Sequence, residues 1–199
     1  MTPPTTEPSP IAPAPTAPTS PTASAAPRPA THDDVDDVVA LVESAYRGDA
    51  SRVGWTTEAD LLGGQRTDPE MVREILDAAG SVVLVVDDDL SRGLAACCHV
   101  QRRAGSVYVG MLAVRPGAQG NGLGRLLLRG AEEQARRWGR TRLEMTVIVQ
   151  RPELVAWYRR RGYRDTGERS PFPYGDERFG VPRRPDLEFA HLVKELTPS

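Results

Sequence analysis

Val114-Arg115-Pro116-Gly117-Ala118-Gln119-Gly120-Asn121-Gly122-Leu123-Gly124-Arg125 is the stretch whose reading decides the fold. A β-rich run, residues 107–114, leads into it, and an amphipathic helix follows. That helix places Leu123, Leu126, Leu127, Ala131, Ala135 and Trp138 on one face. Arg125, Arg129, Glu132, Glu133, Arg136 and Arg137 fall on the other, and Gly139 closes it. A glycine-rich turn between a strand and a helix leaves backbone N–H groups without carbonyl partners. With the positive end of the helix dipole they form a site for phosphate-like anions.

Working outward, residues 81–86, 93–101 and 106–114 read as three strands with short connections, an antiparallel meander. Residues 142–149 read as a further strand. It follows a strand and a helix, so it is expected to lie parallel to the third strand. Upstream, Val35, Val38, Val39, Val42, Ala45 and Tyr46 make a helical stripe over residues 33–47, with aspartates in the first turn and Gly48 as its stop. A short helix is expected over residues 58–62. A longer one runs over residues 69–79, capped by Asp68 with Pro69 at its first position and stopped by Gly80. Downstream, Pro152 opens a helix to Arg161, ended by Gly162. Residues 170–185 read as a structured surface loop and residues 187–194 as a last strand.

Composition bounds what this frame can do. The chain has 199 residues and a formal net charge of −2, which gives no global field for nucleic acid or anionic lipid. Residues 1–30 hold more than half of the chain's prolines, mixed with Ala, Thr and Ser, and cannot bury enough surface to offset their ordering entropy. They read as a disordered or polyproline-like tail, and residues 31–199 as one domain. The tail lacks the basic start and apolar core of a secretory signal, and no apolar run approaches a membrane span. Cys97 and Cys98 are adjacent, which suits no disulfide framework, and no Cys/His spacing suggests a metal site. A reducing cytoplasm is the expected compartment.

Three phosphate-binding patterns compete for the turn. A P-loop string, G-x-x-x-x-G-K-[ST], does not occur. A dinucleotide fingerprint, G-x-G-x-x-G, needs its third glycine one place later than Gly124 and belongs to a doubly wound sheet, not to a meander. The pattern Q-x-x-G-x-G is met by Gln119-Gly120-Asn121-Gly122-Leu123-Gly124. With the strand Gly110-Met111-Leu112-Ala113-Val114 before it, and Leu154-Val155-Ala156-Trp157-Tyr158-Arg159-Arg160-Arg161-Gly162-Tyr163 after it, the chain resembles the GNAT superfamily of acyl-CoA-dependent N-acyltransferases. The likeness spans residues 31–196.

The resemblance implies an α/β fold: a mixed, mostly antiparallel twisted sheet, flanked by helices on both faces and split between its central parallel strands. It implies acetyl transfer from acetyl-CoA, as co-substrate, to a primary amine by direct attack. Leu112, Val114, Gln119, Gly120, Asn121, Gly122, Leu123, Gly124 and Arg125 are then the cofactor-binding residues. Arg151 stands where the family often has a cofactor-contacting Asn, and its guanidinium could reach a phosphate instead. Tyr158 matches the family's proton donor to the leaving thiolate, and the Leu112 backbone N–H is the implied oxyanion donor, beside a bulge. Glu58, in the segment Trp55-Thr56-Thr57-Glu58, is the candidate general base, with His99 as a second. No metal is implied. The mixed aromatic and charged content of residues 170–185 suits an acceptor-recognition lid or a homodimer contact. The acceptor is a small-molecule, peptide or protein amine. Two other readings stand beside this one: a non-catalytic acyl-CoA-binding or sensing module on the same fold, and an interaction protein acting through its proline-rich tail.

Overall fold

The computed structural model describes residues 26–54, 57–88 and 93–197. Residues 1–25, most of the expected tail, lie outside the described residues, as do Trp55 and Thr56 of the expected acceptor loop.

The described residues form a seven-stranded sheet in the order β1-β3-β4-β5-β6-β9-β7 and a two-stranded sheet of β2 and β8. The strands are β1 (Arg28–Pro29), β2 (Leu62–Gly63), β3 (Ser81–Asp88), β4 (Gly93–Arg102), β5 (Val107–Val114), β6 (Arg142–Ile148), β7 (Arg164–Pro171), β8 (Val181–Pro182) and β9 (Glu188–Glu195). The helices are α1 (Val35–Tyr46), α2 (Gly48–Ser51), α3 (Pro69–Asp77), α4 (Leu123–Arg137) and α5 (Pro152–Arg159). Every neighbouring pair in the large sheet is antiparallel except β5 and β6.

Strand β3 shows how both faces are filled. Its residues alternate, but all four of Val83, Leu84, Val85 and Val86 are buried. Val83 and Val85 face α1 and α3, packing with Val38, Val42 and Val72. Leu84 and Val86 face α4, packing with Leu127, Leu128 and Ala131. Period-2 alternation with no polar face marks a strand sandwiched between helix layers.

The parallel pair is the shortest contact between long strands. Val107 pairs with Leu143 and Tyr108 with Glu144, and pairing stops there. Beyond that point β5 and β6 diverge, the split implied by the resemblance. A second irregularity lies on the other side of β5. Cys97 pairs with Ala113 but His99 pairs with Gly110, so Met111 and Leu112 together oppose Cys98. Met111 absorbs the extra residue with φ 47°, the left-handed region.

Several expectations need correction. The expected helix over residues 58–62 is not formed: residues 59–61 make a turn and Leu62 enters β2, because Leu62 and Gly63 are drawn into pairing with Pro182 and Val181. Gly48 does not simply stop α1: it opens the single turn α2. Part of the expected loop 170–185 continues β7, an edge strand whose residues are mostly exposed, and the rest carries β8. Arg28 and Pro29, grouped with the tail by composition, form the edge strand β1 against β3, where a proline is tolerated. Arg28 is held there by Asp34 at 2.8 Å and Asp87 at 2.6 Å. On α4, Leu128 is buried, whereas Leu126 and Trp138 are only partly buried. Among the described residues no helix is long and apolar enough to cross a membrane.

Candidate active site

The glycine turn is built by two left-handed residues. Gly120 has φ 89° and Gly122 φ 83°, conformations that cost a side-chain-bearing residue about 1 kcal/mol or more. Gly122 is the N-cap of α4, and its carbonyl already accepts from the Leu126 amide at 3.0 Å. The amides of the first turn of α4 have no carbonyl within the helix to bond. Gly124 is needed for a different reason: a Cβ there would lie 3.1 Å from the Trp157 ring. The helix thus approaches α5 at backbone distance, and the turn forms the floor of a cavity of about 490 Å³.

Leu112, Val114, Gln119, Gly120, Gly122, Leu123, Gly124 and Arg125 all line this cavity, as the sequence suggests. Asn121 does not line it and is exposed, because the two left-handed glycines on either side turn it outward. Gln119 also braces the turn, donating from its side-chain amide to the Val114 carbonyl at 3.2 Å. Arg151 does not line it either. Its buried guanidinium donates through Nε to Glu153 at 3.1 Å and lines a second cavity described below.

Three lining residues carry a signal not read from the sequence: Trp157, Arg160 and Arg161. The Arg161 guanidinium stacks on the Trp157 ring, 3.4 Å from its centroid, and Nη1 donates to the Trp157 carbonyl at 2.7 Å. Its Nε is buried without a partner among the described residues. Burial, then the charges of Arg125 and Arg160, push the Arg161 pKa below the usual guanidinium value. Three guanidiniums crowded around one cavity, with an orphaned N–H among them, form a site short of anion. A diphosphate fits that deficit, and the glycine turn supplies the amides for it. The run Tyr158-Arg159-Arg160-Arg161 was the available signal; two of its three arginines face the cavity.

A second, smaller cavity of about 110 Å³ lies in the split of the sheet, between residues 108–112 of β5 and residues 145–148 of β6. Glu58, Arg66, Arg151, Phe179 and Phe189 complete its wall. Tyr46, Leu112, Leu154 and Tyr158 line both cavities, so the two meet at these side chains.

Tyr158 is buried in α5, with its ring edge-on to Trp157 at 4.9 Å and to Tyr163 at 5.7 Å. Burial, helped by the neighbouring Tyr46, raises its pKa well above the ordinary phenol value, while Arg151 opposes the shift. The hydroxyl therefore stays protonated at neutral pH. Tyr46, at the end of α1, donates to the Leu112 carbonyl at 2.6 Å. That bond ties α1 to the bulge in which the Leu112 backbone lies.

Glu58 is not a loose carboxylate. Arg47 Nη1 donates to its Oε2 at 2.7 Å, and both side chains are nearly buried. Arg47 also contacts the Phe179 carbonyl, and a Cβ at Gly180 would meet Arg47 at 2.8 Å. One guanidinium thus joins the end of α1, the Glu58 segment and the chain between β7 and β9. His99 lines neither cavity. It lies 2.8 Å from Ser81 Oγ, and burial pushes its pKa down to about 4, so it is a neutral, structurally engaged imidazole. Cys97 and Cys98 are both buried free thiols. Burial raises their pKa values, which leaves them inert as nucleophiles.

Comparison with known proteins agrees with this geometry. Residues 40–163 match the family described as Acetyltransferase (GNAT) family. None of the curated proteins compared with the chain matches it significantly in sequence. Solved structures share the fold. The ribosomal-protein-alanine N-acetyltransferase from Brucella melitensis is 20% identical, with a TM-score of 0.63 over 85% of this chain and 99% of that one. The yncA protein from Salmonella typhimurium, solved with its cofactor acetyl-CoA, is 19% identical, with a TM-score of 0.60 over 87% and 94%. Nourseothricin acetyltransferase is 23% identical, with a TM-score of 0.51 over 60% and 67%. At these identities the structures speak for the fold, and the match over residues 40–163 settles the family: the chain belongs to the GNAT acetyltransferases.

Proposed function

We propose that the protein transfers an acetyl group from acetyl-CoA to a primary amine by direct attack. The observation that carries this reading is the meeting of the two cavities at Tyr46, Leu112, Leu154 and Tyr158. The glycine turn with Arg125, Arg160 and Arg161 holds the carrier's phosphates, and the split between β5 and β6 admits the acceptor. Acetyl-CoA, when bound, supplies an activated thioester whose C–S bond breaks as the amine nitrogen takes the acetyl group, one proton leaving the nitrogen and one joining the sulfur.

The remaining work belongs to the chain's own groups. Tyr158 holds a proton at the junction of the cavities and is the general acid. The Leu112 amide, in the bulge fixed by Tyr46, is the oxyanion donor. An aliphatic ammonium has a pKa near ~10.4 and must lose a proton before it can attack. Glu58, on the acceptor side and oriented by Arg47, is the base, directly or through water. The two free thiols suit a reducing, cytoplasmic setting.

Thiol release from acetyl-CoA across a panel of amines tests the reading. Turnover with at least one amine class, lost in Tyr158→Phe with acetyl-CoA binding retained, supports it. Acetyl-CoA binding without turnover on any amine points to a sensing module instead.

A further inference from the structure

The charges around the second cavity do not balance. Among the described residues its only lining carboxylate, Glu58, is taken by Arg47 at 2.7 Å. Two more guanidiniums, Arg66 and Arg151, line the same wall. Arg151 gives its Nε to Glu153, a residue on the other cavity, and is itself almost fully buried. Arg66 pairs with no carboxylate among the described residues; its guanidinium lies over the Tyr46 ring, 5.5 Å from the centroid. Its backbone is held in place, since the amides of Arg66 and Thr67 both donate to Glu43 Oε1, at 2.5 and 2.9 Å.

A pocket with surplus positive charge repels a simple ammonium. It accepts one that brings its own anion, and it lowers the cost of deprotonating the amine once bound. The volume, about 110 Å³, is well below that of sites for drug-sized molecules, roughly 300–1,000 Å³. We propose that the acceptor is a small amine bearing a carboxylate close to its nitrogen, an amino-acid-like zwitterion, with Arg66 holding the carboxylate. This rests on the acetyl-transfer reading and names the acceptor class for the same site.

The test is thiol release by the full-length protein with free amino acids, their C-terminal amides, and amines without an acid group. The expected kcat/KM for the acids exceeds that of the matching amides by about 10- to 100-fold, the weight of a charge-assisted pair. Arg66→Gln is expected to collapse that ratio through the acceptor KM, leave the acetyl-CoA KM unchanged, and be partly rescued by Arg66→Lys. Amides that match or outperform the acids in the unaltered protein overturn the proposal, whatever the variants do. So does an unchanged ratio in Arg66→Gln. Turnover confined to amines without an acid overturns the acceptor class and leaves acetyl transfer standing, whereas no turnover with any amine overturns acetyl transfer and the acceptor class with it.

Discussion

The Tyr46 hydroxyl donates a 2.6 Å hydrogen bond to the carbonyl of Leu112, linking the end of α1 to the bulge of β5. The bulge carries a left-handed Met111 and is held open on one side by the divergence of β6. Tyr46→Phe removes the donor and leaves a buried carbonyl unpaired, a loss of about 1–3 kcal/mol of stability. Because that backbone faces both cavities, the expected kcat falls about tenfold, with little change in acetyl-CoA KM. Urea unfolding and steady-state kinetics on the same variant separate the two effects.

Tyr158→Phe keeps the ring packing against Trp157 and Tyr163 and deletes only the hydroxyl. If that hydroxyl protonates the thiolate, kcat drops by about 10- to 1000-fold at unchanged acetyl-CoA affinity. Calorimetry with acetyl-CoA checks the affinity, and a kcat equal to wild type removes the role.

Gly124→Ala places a methyl group 3.1 Å from Trp157. The ring must shift, and with it the Arg161 guanidinium stacked upon it. The expected result is a rise in acetyl-CoA KM with the acceptor KM little altered. Arg161→Gln raises the same KM, and the salt dependence of acetyl-CoA binding becomes shallower, because one charge has left the cluster. A titration in increasing salt on wild type and variant reads this directly.

Glu58→Gln breaks a nearly buried ion pair and strands the Arg47 charge, at a cost of about 3–5 kcal/mol. If Glu58 is also the base, the acidic limb of the pH–rate profile disappears in the variant. A profile that keeps its acidic limb assigns Glu58 to positioning alone.

His99 gives a pH-dependent contribution of definite sign. Its folded pKa, about 4, lies below the unfolded value near 6.5 because burial disfavours the imidazolium. The unfolded chain therefore binds the extra proton first. Stability is intact above pH ~6.5 and falls as pH drops from there to ~4. His99→Gln is expected to flatten the decline in Tm between pH 7 and pH 4.5, measured by thermal unfolding at fixed ionic strength.

The sequence was most readable where function is local. Residues 107–137, a strand, a turn and a helix contiguous in the chain, could be assigned with their glycines and their buried stripe. The parallel pairing of β5 and β6 followed from the same frame. Non-local features were harder. Residues 58–62 carry the marks of a short helix, yet Leu62 and Gly63 pair with residues far along the chain, and tertiary pairing overrides local preference. Strand β7 reads Arg-Asp-Thr-Gly-Glu-Arg-Ser-Pro and lies at the sheet edge, so no apolar alternation announces it. Arg151 looked like a phosphate ligand from its place before α5, but its side chain turns to the other cavity, a choice of rotamer and not of position. Arg160 and Arg161 were given no role by the sequence, because the placing of the Arg161 guanidinium depends on Trp157, whose ring packs against Gly124 from another helix.

The little β2–β8 ribbon and the Arg47 clamp have an evolutionary corollary. The larger cavity is lined mainly by one continuous stretch and a neighbouring helix, whereas Arg47, beside the smaller one, joins segments that lie far apart in the chain. Substitutions in those distant segments are therefore free to reshape the smaller cavity while the glycine turn and α5 keep the larger one intact.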